Sequence, residues 1–332
     1  MIVVDADFLG RGRTGDETYV ENLLRAMAPL AGDLRIAALT RDPALVPEGI
    51  EPIVLAARSQ ELRMAWSVPR ALDRLRPRLA HFVHALPPRL PCPAVLTVQD
   101  LSFERASLMG WKDRLVFRRV VPRSVRRAAR VLAISERTKR DLVELYDVPE
   151  EKVVVTPLGV DPAFTPGHDG RGTYLLFVGA IQERKDPLAA AAAASAVGLP
   201  LVAVGPEKDA RLARELRLAG ADVRGYVSKD ELAQLYRGAA ALVLPSRYEG
   251  FGLPVVEAMA SGTPVVAAPD AALREVAGDA AVFAEAPELA GAVRHALDER
   301  ERLVAAGLER ARRFTWEETA RRTLDVYREL LA

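Results

Sequence analysis

The sequence is poor in the residues on which disulfide, metal and redox chemistry depend. Its 332 residues include one cysteine, Cys92, and four histidines. An intrachain disulfide and a cysteine-based zinc cluster are therefore excluded, and a reducing compartment is compatible with the composition. It also lacks an excess of charge: 46 Lys plus Arg against 45 Asp plus Glu leave a net +1, so no global field gathers nucleic acid. No apolar run reaches a membrane span. The longest, Leu188 to Val204, covers about 17 residues against the ~20 needed, and Ser195, Gly198 and Pro200 interrupt it, so it reads as an Ala-rich helix and a strand. The start of the chain lacks the basic and apolar regions of a secretory signal and reads at once as a strand, which makes the expected location cytoplasmic. Lysine is scarce as well, six against 40 arginines, a bias against which any arginine cluster has to be judged.

What remains is an ordinary folded composition, 50% hydrophobic and 27% charged, at a length that suggests two domains. Apolar strand-like runs alternate with amphipathic stretches, the pattern of parallel sheets covered by helices, so the fold class is α/β. Strands are expected near Ile2–Asp5, Leu34–Leu39, Ile53–Leu55, Leu79–Val83, Val95–Val98, Val131–Ile134 and Val153–Thr156. Helices are expected over Thr18–Ala28, Glu61–Leu75, Lys112–Ala129 and Glu136–Leu145. After a Pro- and Gly-rich linker the alternation restarts, with strands at Tyr174–Val178, Leu201–Val204, Asp222–Arg224, Ala241–Leu244, Pro264–Ala267 and Ala281–Phe283. The domains are set at 1–160 and 173–314, with a linker at 161–172 and a last helix, 315–332, returning to the first domain. Ligands of open α/β sheets bind at the carboxyl ends of strands, so a cleft between two Rossmann-like domains is the expected site.

The most informative segment runs from Leu242 to Val266: strand, loop with two glycines, helix, strand. Gly250 and Gly252 let backbone N–H groups approach a ligand closely, and the following helix presents its positive end to an anion. Glu249 and Glu257 stand eight residues apart, one on the loop and one a turn inside the helix. A carboxylate accepts two hydrogen bonds at once and matches a vicinal diol. Taken singly the two read as a solvated loop residue and a surface helix residue, but Pro254, Val255, Val256 and Met259 make this helix mostly buried, which reverses that reading. Arg184 and Lys185, just after a strand, offer a fork and a point charge to a diphosphate, or are two surface cations.

These residues together resemble the E-x7-E signature of retaining nucleotide-sugar glycosyltransferases of the GT-B fold, glycosyltransferase family 4. Val153–Asp161, Phe177–Asp186, Ile134–Leu142, Val223–Val227, Glu275–Asp279 and the closing helix from Phe314 are similar to further segments of that family. The resemblance implies two Rossmann-like domains, an acceptor side in the first and a donor side in the second. It implies that Arg184 and Lys185 neutralise the leaving nucleoside diphosphate, that Glu257 binds ribose hydroxyls and Glu249 the donor sugar. It further implies that the Gly250-Phe251-Gly252 backbone contacts sugar and phosphate, and that backbone near Tyr226 and Val227 reads the base. The implied reaction retains anomeric configuration, uses a nucleoside-diphosphate sugar (GDP-, UDP- or TDP-linked) as co-substrate, and needs no metal and no other cofactor.

In the first half a Gly-rich loop, Gly10 to Gly15, enters a helix and is able to close over a phosphate. It resembles the family's T-G-I-G-R-Y loop at Gly15 and Tyr19, with Glu17 and Thr18 where Gly and Arg are common. Asp5-Ala6-Asp7 is formally a D-x-D, a metal-binding string elsewhere, but Asp5 falls where the family carries an Asp. Gln99 replaces a His of the family's H-D-L loop and cannot titrate near neutral pH. Asp100 is a candidate for orienting an acceptor hydroxyl or for bracing its loop. His81 and His84 are either acceptor contacts or one packed and one exposed residue. Seven arginines from Arg114 to Arg130 read as a solvated face or as a basic amphipathic helix able to lie on an anionic membrane, which suits a lipid-linked acceptor; a saccharide acceptor is the other partner expected. The alternatives are a nucleotide-sugar epimerase of the same fold and a non-catalytic nucleotide-sugar-binding subunit.

Overall fold

Short runs of Val, Ile, Leu and Ala make the strands, because a parallel strand covered on both faces has no solvent side for polar residues to occupy. In the computed structural model, which describes every residue except 13, 56, 58, 106–110 and 168–171 and only the backbone of 14, 105 and 111–115, these runs form two sheets. The first has the order β3-β2-β1-β4-β5-β6-β7. Its strands are β1 (Ile2–Asp5), β2 (Ile36–Thr40), β3 (Glu51–Val54), β4 (Leu79–Val83), β5 (Ala94–Val98), β6 (Arg130–Ala133) and β7 (Val153–Val155). The second has the order β10-β9-β8-β11-β12-β13, with β8 (Leu175–Val178), β9 (Leu201–Val204), β10 (Asp222–Gly225), β11 (Ala241–Leu244), β12 (Val265–Ala267) and β13 (Ala281–Phe283). All these pairings are parallel. The strand order reverses between β1 and β4 in one sheet and between β8 and β11 in the other, and such switch points open crevices at the carboxyl ends of the strands.

The chain divides into two compact units, Met1–Gly159 with Trp316–Ala332, and Val160–Thr315. In the first, α1 (Thr14–Met27), α2 (Val68–Leu75), α3 (Trp111–Arg127) and α4 (Glu136–Tyr146) cover the sheet. In the second, α5 (Pro187–Val197), α6 (Ala210–Leu218), α7 (Lys229–Gly238), α8 (Leu253–Ala260), α9 (Ala271–Ala277), α10 (Leu289–Asp298) and α11 (Arg300–Ala311) do so. The last helix, α12 (Trp316–Leu331), completes the first unit: it packs along α1 and against β4, with Ala320, Leu324 and Tyr327 fully buried. The Ala-rich α5 is explained by its place, with Ala190, Ala191, Ala193 and Ala194 in the core of the second sheet.

One helix departs from its expected form. Glu61–Leu75 reads as continuous in the sequence, but the structure breaks it into one turn at Gln60–Leu62, a π-helical turn at Arg63–Ser67, and α2. Two causes act together. Pro69 has no N–H and its ring clashes with the carbonyl four residues earlier, which opens the ladder. Arg63, fully buried, is drawn inward to Asp5, with side-chain contacts of 2.5 and 3.1 Å.

Candidate active site

The donor-type residues gather at the β8/β11 switch point. Beyond β8 the chain makes a single turn, Glu183–Lys185, and beyond β11 it runs through Tyr248 and Glu249 into α8. The Lys185 Nζ lies 2.5 Å from Glu249 Oε1, and the Arg184 guanidinium donates to the Tyr248 carbonyl at 2.6 Å while standing 3.9 Å from Glu249 Oε2. The two loops are tied again where the Arg247 amide donates to the Arg184 carbonyl (2.9 Å) and its side chain pairs with Asp186 (3.0 Å). Glu249 is 6% exposed. Burial opposes its ionisation, but the charges of Lys185 and Arg184 and the Lys185 hydrogen bond outweigh that and hold its carboxyl below the usual range. The three charged groups expected from the sequence are thus one interlocked cluster.

The next residues fit the same site. Phe251 is turned into the core, its ring edge-on to Phe314 with centroids 5.6 Å apart, so its ring is withdrawn from the surface. Gly252 holds φ +105, and a Cβ there would stand 2.6 Å from Leu273 Cδ2, so this position takes glycine alone. No side chain caps α8; Pro254 has no N–H and the Val255 amide donates to the Gly252 carbonyl at 2.9 Å, so of the first turn the Leu253 amide is the one suited to an anion.

Glu257, four residues into α8, accepts a hydrogen bond from the Tyr236 hydroxyl at 2.8 Å. Burial pushes its carboxyl up to about 7, the Tyr236 hydrogen bond opposes this, Asp161 adds to the rise and Lys229 opposes it. Lys229 in turn pairs with Asp161 at 2.5 Å, and Val227 is half-buried two residues earlier, in the loop after β10. Tyr236, Asp161 and Lys229 were not among the expected site residues. Asp161 belongs to a quoted segment, but nothing local ties it to a helix residue almost a hundred positions on.

In the first unit Gly15 is exposed in the first turn of α1, and a Cβ there would be 3.5 Å from Gln99 Oε1. The Gly-rich loop and the loop after β5 therefore meet. The Gln99 amide nitrogen is buried with no hydrogen-bond partner among the described residues. Glu17, the acidic residue in place of the family's glycine, turns back and accepts from the Gly10 amide at 2.7 Å, bracing the loop. Asp100 accepts from the Ser102 amide and hydroxyl (3.0 and 2.9 Å), which braces its own loop. His84, at φ +63, lies 3.0 Å from Asp16 on α1.

Two expectations are corrected, and the D-x-D string gains a structural account. His81 is no acceptor contact: it is 1% exposed, with Nδ1 2.5 Å from the Tyr327 hydroxyl and Nε2 2.7 Å from Thr97 Oγ1, which is 2.8 Å from the Tyr19 hydroxyl. Burial depresses its pKa to about 3, so it stays neutral. The D-x-D string is an ion-pair centre, Asp5 held by Arg63, and Asp7 by Arg63, Arg41 and Arg11. Finally, the Arg114–Arg130 stretch is not free to lay an apolar face on a membrane, because Val121, Val125 and Ala128 sit in the core. Its outer row is Val116, Arg118, Arg119, Arg123, Arg126 and Arg127. Arg118 pairs with Glu104 (2.7 Å), while Arg119, Arg123 and Arg126 have no acidic partner among the described residues. Among the described residues no helix is long and apolar enough to cross a membrane.

Two Rossmann-like parallel-sheet units, one with paired cations and carboxylates at its switch point, are the architecture of GT-B glycosyltransferases. Residues 13–164 match Glycosyltransferase Family 4, and residues 163–313 match Glycosyl transferases group 1. The chain is 34% identical over 298 residues to a D-inositol 3-phosphate glycosyltransferase of Kribbella flavida, covering 78% of this chain and 67% of that one. It is 29% identical over 276 residues to O-antigen chain mannosyltransferase B of Escherichia coli, covering 74% and 72%. Its fold is that of Anabaena Alr3699/HepE, solved in complex with UDP and glucose, at a TM-score of 0.75 and 16% identity over 99% and 100% of the two chains. It spans only 51 to 58% of the length of several further inositol 3-phosphate glycosyltransferases that it matches. The chain belongs to glycosyltransferase family 4.

Proposed function

We propose that this glycosyltransferase moves a sugar from a nucleoside-diphosphate sugar to an acceptor hydroxyl with retention of configuration and without a metal ion, the donor lying on the second unit and the acceptor on the first. The observation that carries this reading is the Arg184–Lys185–Glu249 cluster at the β8/β11 switch point. As the anomeric C–O bond to the diphosphate breaks, its electron pair leaves on the phosphate oxygen and positive charge grows on the anomeric carbon. Lys185 and Arg184, fixed beforehand by Glu249 and the Tyr248 carbonyl, stabilise that departing charge more than the ground state, which accelerates the step. The acceptor oxygen bonds to the anomeric carbon on the same face, and its proton passes to the leaving phosphate. No protein nucleophile is needed. Glu257 is suited to a ribose diol, and the unpaired Gln99 amide to a sugar hydroxyl or a phosphate at the mouth of the Gly-rich loop.

The test is a thermal-shift panel of nucleoside diphosphates and their sugars, with turnover assayed on whichever binds. A ligand at 100 times its Kd adds about 2.7 kcal/mol to stability. A shift with one nucleotide, lost in Lys185→Ala and Glu257→Ala, and slow donor hydrolysis without acceptor support the transferase; an epimerised donor supports the epimerase; binding with no turnover supports a binding subunit. Product NMR distinguishes retention from inversion.

The outer row of α3 favours contact with an anionic surface. From Arg114 to Ser135 the sequence has no Asp or Glu, whereas the arginines of α12 are matched by Glu317, Glu318 and Asp325. This row carries no acid of its own, and among the described residues Arg118 alone of it reaches one, Glu104. Since the apolar side of α3 is in the core, the contact is electrostatic and salt-sensitive.

A further inference from the structure

The ion-pair centre at the carboxyl end of β1 has more in it than a brace. Asp5 is taken up by the fully buried Arg63 through two contacts of 2.5 and 3.1 Å. Asp7, 1% exposed, receives three guanidinium groups: Arg63 Nε and Arg41 Nε at 3.1 and 2.6 Å on one oxygen, Arg11 at 3.0 Å on the other. The three arginines are not equivalent. Arg63 is sealed in, but the side chains of Arg11 and Arg41 are 21% and 32% exposed. Both stand at the carboxyl edge of the first sheet, Arg11 in the Gly-rich loop after β1 and Arg41 directly after β2.

We propose that Arg11 and Arg41, aimed by Asp7, form an anion site on the first unit that selects acceptors carrying a phosphate or carboxylate beside the reacting hydroxyl. The inference rests on the acceptor lying on this unit. Two guanidinium forks that converge on one buried carboxylate have their rotamers fixed before a ligand arrives, so little side-chain entropy is lost on binding. Arg41 is held further by the Ala57 carbonyl at 3.4 Å and Arg11 by Gln60 Oε1 at 3.5 Å. With the buried Arg63 charge also beside Asp7, an incoming anion draws on the outer forks without stripping the carboxylate of its charge partner. A planar fork matches the paired oxygens of a phosphate or carboxylate. An uncharged polyol has no such oxygens to offer.

The protein is first saturated with the nucleoside diphosphate that gives a thermal shift, which occupies the donor cations, and is then titrated with inorganic phosphate, glucose 6-phosphate, glucuronate and glucose by calorimetry. Saturable phosphate binding, weakened at least tenfold in Arg41→Gln and in Arg11→Gln, with the nucleoside-diphosphate shift unchanged in Arg41→Gln, is the expected result. Tighter binding of glucose 6-phosphate than of glucuronate assigns a phosphate acceptor, the reverse a carboxylate one. Arg41→Lys keeps the charge and loses the fork, so intermediate affinity is expected. The proposal is overturned by the absence of saturable anion binding, by binding that both variants leave intact, or by equal affinity for glucose. The nucleoside-diphosphate shift is read separately, so a failure of the donor reading is not confused with a failure of this one.

Discussion

Lys185 and Glu249 lie on loops that follow neighbouring strands of one sheet, and their charged atoms are 2.5 Å apart. Each fixes the other. Lys185→Ala removes the close partner of a buried carboxylate, leaving Arg184 at 3.9 Å. We expect a loss of roughly 3 kcal/mol of stability, within the range for one partner of a buried pair, and a loss of nucleoside-diphosphate binding. Glu249→Gln keeps the shape and should lose turnover more than nucleotide binding. Urea titration and donor hydrolysis check both.

Glu257 gives a pH dependence of defined sign. Burial raises its folded-state pKa to about 7, so the protein binds this proton more tightly folded than unfolded. The stability it contributes is present below the unfolded value near 4.5 and is lost as pH rises through 7. A ribose diol needs the ionised form to accept two hydrogen bonds, so nucleotide affinity should increase across the same range. Glu257→Gln is expected to be no less stable than the parent at pH 8 while binding nucleotide weakly and without pH dependence. Calorimetry from pH 6 to 8 decides it.

His81 behaves oppositely. With a folded pKa near 3 and an unfolded value near 6.5, it favours folding above pH 6.5, and that contribution falls away as pH drops towards 3. His81→Leu breaks the chain from Tyr327 to Tyr19 and should cost about 1–3 kcal/mol at pH 7.5 through the hydroxyls left unpaired. The deficit should narrow by pH 5, where the parent has lost part of its own advantage. Denaturation midpoints at the two pH values measure this.

The arginine row of α3 predicts binding to vesicles containing phosphatidylglycerol. Each arginine near an anionic surface is worth about 1 kcal/mol, so Arg119→Gln with Arg123→Gln should weaken sedimentation with such vesicles roughly thirtyfold and leave donor hydrolysis unchanged. Equal binding to neutral vesicles would defeat the idea.

The strands were legible because doubly buried parallel strands are apolar without interruption, and most boundaries fall within two residues of those expected. The donor cluster was legible because its loops carry glycines and charges in a compact pattern. What escaped was long-range pairing. Tyr327 lies 246 positions from the histidine it meets, and no local signal joins them. Arg63 falls within the expected Glu61–Leu75 helix and nothing local marks it for burial, because its partners are on β1 and the loop beyond. Glu17 stands where the family's loop has glycine, and its partner, the Gly10 amide seven residues back, is set by the fold of the loop.

The first unit is assembled from both ends of the chain, whereas the second is a single stretch from Val160 to Thr315. During synthesis, then, the second sheet has all its residues before the first unit does, although the latter begins to emerge first. Until α12 arrives, Tyr19, Thr97 and His81 line a seam without Tyr327, and β4 and α1 are uncovered on that side. The earlier-made half must wait for the later-made one, and a ribosome that stalls near residue 315 would release a chain with one finished unit and one open one.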